Sequence, residues 1–386
     1  MRVAIFTDCY IPVKNGVVTS IGELKAGLEA KGHHVIVFTV QVKGYEDEED
    51  GIIRFRSIPV GLGTEIAFGL VNQFTVNRMI RFHKIDLIHI HTELNLCISG
   101  ILAARKFALP RIHTTHTLWE EYRHYLLNGV LLSPALIRVL AKFILGGSAG
   151  LVAPSIKAKD YYQSIVPDIP FEVIPNGMDR AKFGYRHFTQ QETNEIRKRW
   201  NITPDDKVIL FVGRIGKEKR VVELFDAILP VLKAKPDTKM LFVGDGPLRK
   251  ELESRSCNLN MRERILFTGY VNWNSVHEIY TLSALFVTAS LSEVHSMTMI
   301  EAMMCLLPIV ARRDESFVAS VTDGVNGYLV ESDGDLTEKI MQVVSDEKKL
   351  QHMGEESLRV SEKYSGEAHA NQMEKFYEHI LSRSTG

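Results

Sequence analysis

The chain has 386 residues, of which 45% are hydrophobic, and a formal net charge of −1 at pH 7. This length and apolar content exclude a disordered chain and predict two domains, each with its own core. The balanced charge argues against a nucleic-acid-binding protein, although residues 51–150 carry 11 Lys and Arg against 5 Asp and Glu.

Short runs of Val, Ile, Leu and Phe alternate with helix-like segments in both halves of the chain, which predicts two doubly wound parallel sheets. The N-terminal run is short and ends at Asp8, so it indicates a first strand rather than a signal peptide. In the first half, strands are predicted near residues 2–7, 34–39, 86–90, 111–114 and 150–153. In the second half, they are predicted at residues 208–212, 240–243, 265–268, 284–288 and 308–311.

The predicted domains are residues 1–184 and 207–364, joined by a polar linker at 185–206. A last amphipathic segment, about 365–386, is predicted to pack back on the first domain. The apolar stretch 126–145 is interrupted by Pro134 and charged residues, so it is not predicted to span a membrane. The four cysteines form no CxxC pair, which favours buried thiols in a reducing cytoplasm over disulfides or zinc.

Glu293 and Glu301 stand eight residues apart around the predicted start of a helix near Ser296. The preceding segment 284–288 is a predicted parallel strand, and open α/β sheets bind ligands at the carboxyl ends of their strands. The pair therefore predicts a ligand site. The alternative is that both are helix-start acids favoured by the helix dipole.

Arg214 directly follows a predicted strand, and Lys219 lies near the start of the next helix. A forked guanidinium and an ammonium suit the two phosphates of a diphosphate, although charge runs of this kind are often only solvated. Gly16 lies where the first loop leads into a helix. This position indicates either close approach of the backbone to a phosphate or a simple Asn-Gly turn.

Motifs spread over nearly the whole chain resemble, in the right order, the retaining, nucleotide-sugar-dependent glycosyltransferases of family 4. They are residues 1–8, Pro12, 16–20, 173–179, Gly213 and Arg214 with Lys219, 244–247, and the Glu293/Glu301 pair. The resemblance implies the GT-B fold, with two Rossmann-like domains facing each other across a cleft. The first domain would bind the acceptor and the second the nucleotide. Residues 113–125 resemble the bacterial diacylglycerol glucosyltransferases within this family.

The resemblance also implies roles for individual residues. Glu301 would hold the ribose hydroxyls, Glu293 would face the donor sugar, and His116 would lie near the sugar hydroxyls. The implied catalytic residues are Glu293, His116, Arg214 and Lys219. The implied donor-binding residues are Gly16, Gly213, Arg214, Lys219, Val271, Ser296, Met297, Thr298 and Glu301. The implied acceptor-binding residues are Trp119, Tyr122 and Tyr125.

No metal site is predicted. His113 and His116 are three residues apart without an apparent third ligand, and Asp333-Gly334-Asp335 matches a DxD motif but is better explained as a helix cap. Ser296 and Leu306 stand where the family more often has glycine. We therefore expect a narrowed donor pocket at Ser296.

The expected reaction is retaining, metal-independent transfer of a hexose, glucose in particular, from a UDP-sugar to a diacylglycerol-like lipid. The UDP-sugar is a co-substrate, and no tightly bound cofactor is expected. Apolar and basic segments at 61–84 and 122–142 predict peripheral binding to an anionic membrane at its cytoplasmic face, unless they are ordinary core helices. The alternatives are transfer to a soluble saccharide or small molecule, a UDP-sugar epimerase, and a catalytically silent carbohydrate-binding protein.

Overall fold

The computed structural model describes residues 1–13, 15–47, 49–59, 67–119, 133–183, 188–272 and 275–384. The chain forms two compact units: unit 1 is Met1–Gly177 with Gly366–Gly386, and unit 2 is Met178–Ser365. Within the described ranges, no helix combines the length and the apolar character needed to cross a membrane.

The strands and helices follow one another as the alternating pattern predicts. The strands are β1 (Arg2–Phe6), β2 (His34–Val40), β3 (Ile52–Phe55), β4 (Ser57–Pro59), β5 (Ala67–Gly69), β6 (Leu87–Ile90), β7 (Arg111–Thr114), β8 (Gly150–Ala153), β9 (Phe171–Val173), β10 (Lys207–Val212), β11 (Thr238–Val243), β12 (Ile265–Gly269), β13 (Leu285–Thr288), β14 (Ile309–Arg312) and β15 (Gly327–Val330). The helices are α1 (Gly16–Ala30), α2 (Gln73–Phe82), α3 (Asn95–Phe107), α4 (Pro134–Leu145), α5 (Ile156–Gln163), α6 (Arg180–Phe183), α7 (Gln190–Arg199), α8 (Val221–Ala234), α9 (Arg249–Asn258), α10 (Val276–Leu282), α11 (Met297–Met304), α12 (Asp333–Val344), α13 (Glu347–Ser361) and α14 (Gly366–Ser384).

Each unit is built on a parallel sheet. The strand order is β3-β2-β1-β6-β7-β8-β9 in unit 1 and β12-β11-β10-β13-β14-β15 in unit 2. The prediction of two Rossmann-like sheets is therefore confirmed. The order reverses between β1 and β6 in unit 1 and between β10 and β13 in unit 2. Ligands of open α/β sheets bind at such switch points, beyond the carboxyl ends of the strands.

Helices cover both faces of each sheet, which explains why the strands are apolar along their whole length. In β1, Val3 and Ile5 pack with α1 and α14 on one face, whereas Ala4 and Phe6 pack with α2 and α3 on the other. The β10 strand of unit 2 divides its side chains between two buried clusters in the same way. The core of each unit is thus split by its own sheet.

The C-terminal helix α14 belongs to unit 1, where it packs along α1. The contact is close: a side chain at Gly27 would place its Cβ atom 2.5 Å from the Cβ atom of Ala370. The chain thus crosses from unit 1 to unit 2 after Gly177 and returns before Gly366.

Domain boundaries and edge strands differ from the sequence prediction. The units divide between Gly177 and Met178, not at residue 184, and the predicted linker at 185–206 contains α7, which lies within unit 2. The pattern also missed β3, β9 and β15 and the β4–β5 hairpin. Charged residues interrupt two of the edge strands, Arg54 in β3 and Glu172 in β9, so neither has a continuous apolar run.

His369 gives unit 1 a pH-dependent stability. Its Nδ1 donates to the Pro175 carbonyl over 2.6 Å, and burial lowers its pKa to about 4. The unfolded chain takes up this proton below about pH 6.5, whereas the folded chain does not until about pH 4. Stability is therefore lost as the pH falls, by about 2 kcal/mol between pH 7 and 5.

We predict that His369→Asn, which keeps a donor near the Pro175 carbonyl, removes this share of the pH dependence. Urea titrations followed by circular dichroism at pH 7 and pH 5 measure the difference. An unchanged loss of stability between the two pH values in the variant would show that His369 does not contribute it.

Candidate active site

The loops that follow β10 and β13 meet because the two strands are neighbours in the unit 2 sheet. Lys219 Nζ donates to Glu293 Oε1 over 2.5 Å, and the two side chains are only 18% and 15% exposed. Ser292 Oγ donates to the Glu218 carbonyl over 2.9 Å and ties the same loops together. The structure thus brings into contact two predicted site residues that lie 74 positions apart.

Gly213 and Gly244 hold the β10 loop against the β11 loop. The Gly213 amide donates to the Val243 carbonyl over 2.9 Å, and a Cβ atom on Gly244 would lie 2.0 Å from the Gly213 oxygen. Gly244 also has a φ of +130°, which side-chain-bearing residues rarely adopt. The loop that carries Arg214 therefore has a backbone fixed by contacts to its neighbour.

Arg214 and Lys219 lie on either side of Glu218. The Arg214 side chain is half exposed, and its Nε lies 3.7 Å from Glu218 Oε1. Lys219 ends a 3₁₀ turn, Lys217–Lys219, that precedes α8. The loop at the carboxyl end of β10 therefore carries both the Arg214 guanidinium and the Lys219 ammonium. Fixed cations of this kind stabilise negative charge that develops during a reaction.

Glu301 lies buried just past the middle of α11, with 6% of its surface exposed. Its Oε2 accepts a hydrogen bond from the Tyr280 hydroxyl over 2.6 Å. Burial, and secondly the charge of Glu301, raise the pKa of Tyr280 well above its usual value, so the phenol remains a donor. The contact of Tyr280 with Glu301 was not predicted, because in the sequence a tyrosine within an apolar helix is indistinguishable from a core residue.

Helix α11 begins as predicted, with Ser296 as its N-cap and Glu293 in the loop before it. The buried Ser296 side chain makes no capping hydrogen bond, and the first amides of a helix have no carbonyl partner within it. The amides of Met297 and Thr298 therefore lie where a helix favours negative charge. Val271 follows β12 and is half-buried against the core of unit 2.

Leu306 follows the end of α11 with a left-handed backbone, at a φ of +59°. This conformation costs a side-chain-bearing residue about 1–2 kcal/mol and costs glycine little. The backbone conformation therefore explains why glycine suits this position. In this chain Leu306 adopts the same conformation at that cost in stability.

In unit 1, Gly16 is the first residue of α1, at the carboxyl end of β1. Asn15 is the N-cap, and its side-chain oxygen accepts from the Val18 amide over 2.9 Å. The Asn-Gly pair thus forms a capped helix start.

Asp8 also lies at this end of β1. It is buried, accepts hydrogen bonds from the Leu94 and Leu96 amides at the start of α3, and has a pKa raised to about 6 by burial. The carboxyl group thereby joins the end of β1 to the start of α3.

His116 follows β7 in unit 1 and is half-buried. Its Nε2 lies 3.0 Å from Nδ1 of His91, which follows the neighbouring strand β6. Trp119 lies three residues further along and is half-buried. Tyr122 and Tyr125, predicted to bind the acceptor, lie outside the described residues.

The DxD-like segment 333–335 starts helix α12. Ser332 is the N-cap and forms a capping box with Asp335, while Asp333 forms ion pairs with Arg220 and Arg312. The helix-cap interpretation is confirmed, although Ser332 rather than an aspartate is the N-cap. In the part of the chain that is described, His, Cys, Asp and Glu side chains form no group of three that could hold a metal ion.

Comparisons with known proteins identify the family. Residues 14–182 match Glycosyltransferase Family 4, and residues 192–360 match Glycosyl transferases group 1. The alpha-monoglucosyldiacylglycerol synthase of Streptococcus pneumoniae is 31% identical over 89% of this chain and 78% of its own length. A synthase of the same name from Acholeplasma laidlawii is 28% identical over 100% of this chain and 98% of its own.

The crystal structure of Anabaena HepE in complex with UDP and glucose matches with a TM-score of 0.76, at 17% identity, over 98% of this chain and 100% of that one. This likeness shows the fold. The fold is GT-B, and the chain belongs to the family 4 glycosyltransferases, as its motifs predicted.

We predict that Tyr280→Phe raises KM for the nucleotide-sugar donor about tenfold and changes kcat less. The variant removes a hydrogen bond to the buried carboxylate of Glu301, which is worth about 1–3 kcal/mol. Where Glu301 holds the donor ribose, as the family resemblance implies, its weaker orientation would affect donor binding in the ground state and transition state alike. Steady-state kinetics at varied donor concentration measure the effect.

The matched control is Tyr328→Phe, a half-buried tyrosine of unit 2 whose hydroxyl lies 3.3 Å from Lys349 Nζ. It should behave as the wild type. A fall in kcat at constant KM for Tyr280→Phe, or equal effects of both variants, would contradict the role given to Tyr280.

Proposed function

We propose that this glycosyltransferase transfers glucose from UDP-glucose to a diacylglycerol-type lipid at an anionic membrane surface, with retention of configuration. The names of the two synthases that resemble it over most of the chain support this acceptor and sugar. The UDP and glucose in the HepE complex support the donor. The lipid acceptor rests on one structural observation, the apolar surface of unit 1.

Unit 2 would bind the donor. Arg214 and Lys219 would neutralise the diphosphate, since the departing phosphate carries the negative charge of the reaction. Glu301, oriented by Tyr280, would accept hydrogen bonds from the ribose hydroxyls. The amides of Met297 and Thr298 would contact the sugar or phosphate at the start of α11.

The transfer would proceed by attack of the acceptor hydroxyl on the face that the diphosphate leaves, with the acceptor proton passing to the departing phosphate. A double displacement would instead need a nucleophile on the opposite face. Glu293 is the nearest candidate by sequence, but its carboxylate is engaged by the Lys219 ammonium at 2.5 Å. This ion pair supports a role for Glu293 in orienting the sugar and Lys219.

Unit 1 carries most of the exposed apolar surface. Of the sixteen large apolar side chains that are exposed among the described residues, thirteen lie in unit 1. They come from the β4–β5 hairpin and its flank, α2, α3, α4 and α5. Scattered apolar residues are normal on a soluble protein, but such a concentration on one unit indicates a surface that binds lipid or protein.

The exposed side of α2 combines apolar and basic residues. Phe74 and Phe82 are 76% and 75% exposed, and Arg78 and Arg81 are exposed at positions that lie between them on the same side of the helix. Val76 and Ile80 on the opposite side are buried in the core of unit 1. An amphipathic helix whose outer side carries both phenylalanine and arginine suits an anionic membrane surface.

Helix α4 repeats the arrangement. Ile137, Ala141 and Leu145 are buried along one side, whereas Val139 and Phe143 on the other side are 63% and 68% exposed. One side of α2 and of α4 is thus a core side, as the core-helix interpretation predicted, and the exposed apolar side of each helix supports the membrane proposal. Residues 61–66 and 122–132 of these segments lie outside the described residues.

The proposal is tested by a product screen of UDP-glucose, UDP-galactose and GDP-mannose against dioleoylglycerol in mixed micelles and against soluble saccharides. Mass spectrometry should find a monohexosyl diacylglycerol from UDP-glucose, and the coupling constant of its anomeric proton should show the α-linkage that retention sets. Transfer only to saccharides would overturn the lipid acceptor. Formation of an epimeric sugar from the UDP-sugar without acceptor, resolved by chromatography, would identify an epimerase. The intact enzyme mixed with donor should show no covalent sugar, so a glycosylated Glu293 would contradict same-face attack.

We predict that the double variant Phe74→Ser/Phe82→Ser lowers binding to vesicles of phosphatidylglycerol and phosphatidylcholine at least about tenfold. The variant removes two exposed phenyl groups that would insert into the lipid interface. Vesicle cosedimentation measures the binding. The matched control is Tyr270→Ser/Val318→Ser, which removes two exposed apolar side chains from unit 2. Equal effects of the two double variants, or none, would remove α2 from the proposed membrane surface.

A further inference from the structure

Two histidines, His91 and His89, form a hydrogen-bonded series behind His116 in unit 1. His116 Nε2 lies 3.0 Å from His91 Nδ1, and His91 Nε2 lies 3.1 Å from His89 Nδ1. The series ends at the Tyr377 hydroxyl, 2.6 Å from His89 Nδ1, and at the Thr114 hydroxyl, 2.7 Å from His89 Nε2. It therefore connects His116 to the interior of the sheet and to helix α14.

Burial restricts which nitrogens of this series can carry protons. His89 and His91 are 0% and 1% exposed, and burial holds the pKa of each well below its usual value, so both rings are neutral. A neutral imidazole has one donor and one acceptor nitrogen. If His91 donates to His89, it must accept from His116; if it accepts from His89, it must donate to His116.

We propose that His91 is a positioning residue for glycosyl transfer: it fixes the ring plane of His116 and determines which of its nitrogens carries the proton. The inference rests on the proposed function and on the role that the family resemblance implies for His116, which is to lie near the sugar hydroxyls. A hydroxyl held by a ring nitrogen needs that nitrogen to remain either a donor or an acceptor. His89, with Tyr377 and Thr114, anchors His91 from the buried side.

The chain offers a matched control in His113. It lies on β7 and is fully buried like His91, but neither of its ring nitrogens makes a hydrogen bond. Its Nε2 lies 3.7 Å from Glu93 Oε1. Replacing His113 with leucine changes the volume and polarity of the same region without removing a bond to His116.

Kinetics of the full chain with UDP-glucose and dioleoylglycerol in mixed micelles test the proposal. His91→Leu should lower kcat about tenfold while KM for the donor changes less than about threefold, since an oriented contact is lost in the transition state. His91→Asn, whose amide can occupy the place of Nδ1, and His113→Leu should both keep kcat within about threefold of wild type. Full activity of His91→Leu, or equal losses in all three variants at matched thermal stability, would overturn it.

Nuclear magnetic resonance of protein with ¹⁵N-labelled histidine gives a second readout that needs no lipid acceptor. The His116 ring, assigned from the spectrum of His116→Asn, should show one fixed tautomer in the wild type and in His91→Asn, and an averaged pattern in His91→Leu. The same pattern in wild type and His91→Leu would refute the role of His91. Absence of lipid product with a normal tautomer change would instead refute only the proposed acceptor.

Discussion

The ion pair between Lys219 and Glu293 is the constraint on which the proposed chemistry of unit 2 depends. It forms because β10 and β13 are parallel neighbours, so the loops at their carboxyl ends leave the sheet side by side. The glycines of the β10 and β11 loops fix the backbone that carries Arg214, and Tyr280 orients Glu301 from the preceding helix, α10. Each charged group is thus oriented by a neighbour before any donor arrives, which is the condition for electrostatic stabilisation of a departing phosphate.

In unit 1, neutral side chains rather than charged ones are oriented by their neighbours. The carboxyl ends of β6 and β7 place His91 beside His116, and the returning helix α14 supplies Tyr377 from the far end of the chain. The helix that completes the core of unit 1 therefore also contributes to the hydrogen bonds behind its candidate site residue. The outer helices α2 and α4 bury one side in that core and expose apolar residues on the other, so fold stability and the proposed membrane surface share the same elements.

Most of the fold could be predicted from the sequence because its central strands are buried on both faces and are therefore apolar runs. The position of Ser296 before α11, and of Glu293 and Glu301 around it, followed from local helix-start rules alone. The boundary at Gly177 could not be predicted, because it depends on which core each side chain joins: Ile174 packs in unit 1 and Met178 in unit 2.

The contacts within the site were less accessible to sequence reasoning. The bond from Tyr280 to Glu301 depends on how α10 packs against α11, and the histidine series depends on the register of β6 and β7. Periodicity indicates that a side chain such as that of His91 is buried, but not which polar atom it meets. The pairing of Lys219 with Glu293 likewise required the strand order of the sheet.

The central claim is that the loops after β10 and β13 of unit 2 bind the nucleotide sugar. Hydrogen–deuterium exchange of the full chain, with and without UDP-glucose, tests it most directly because it maps binding without assuming an acceptor. We predict slower exchange, on addition of UDP-glucose, in peptides that span residues 213–220 and 290–301. Unchanged exchange in both peptides, with protection confined to other parts of the chain, would contradict it.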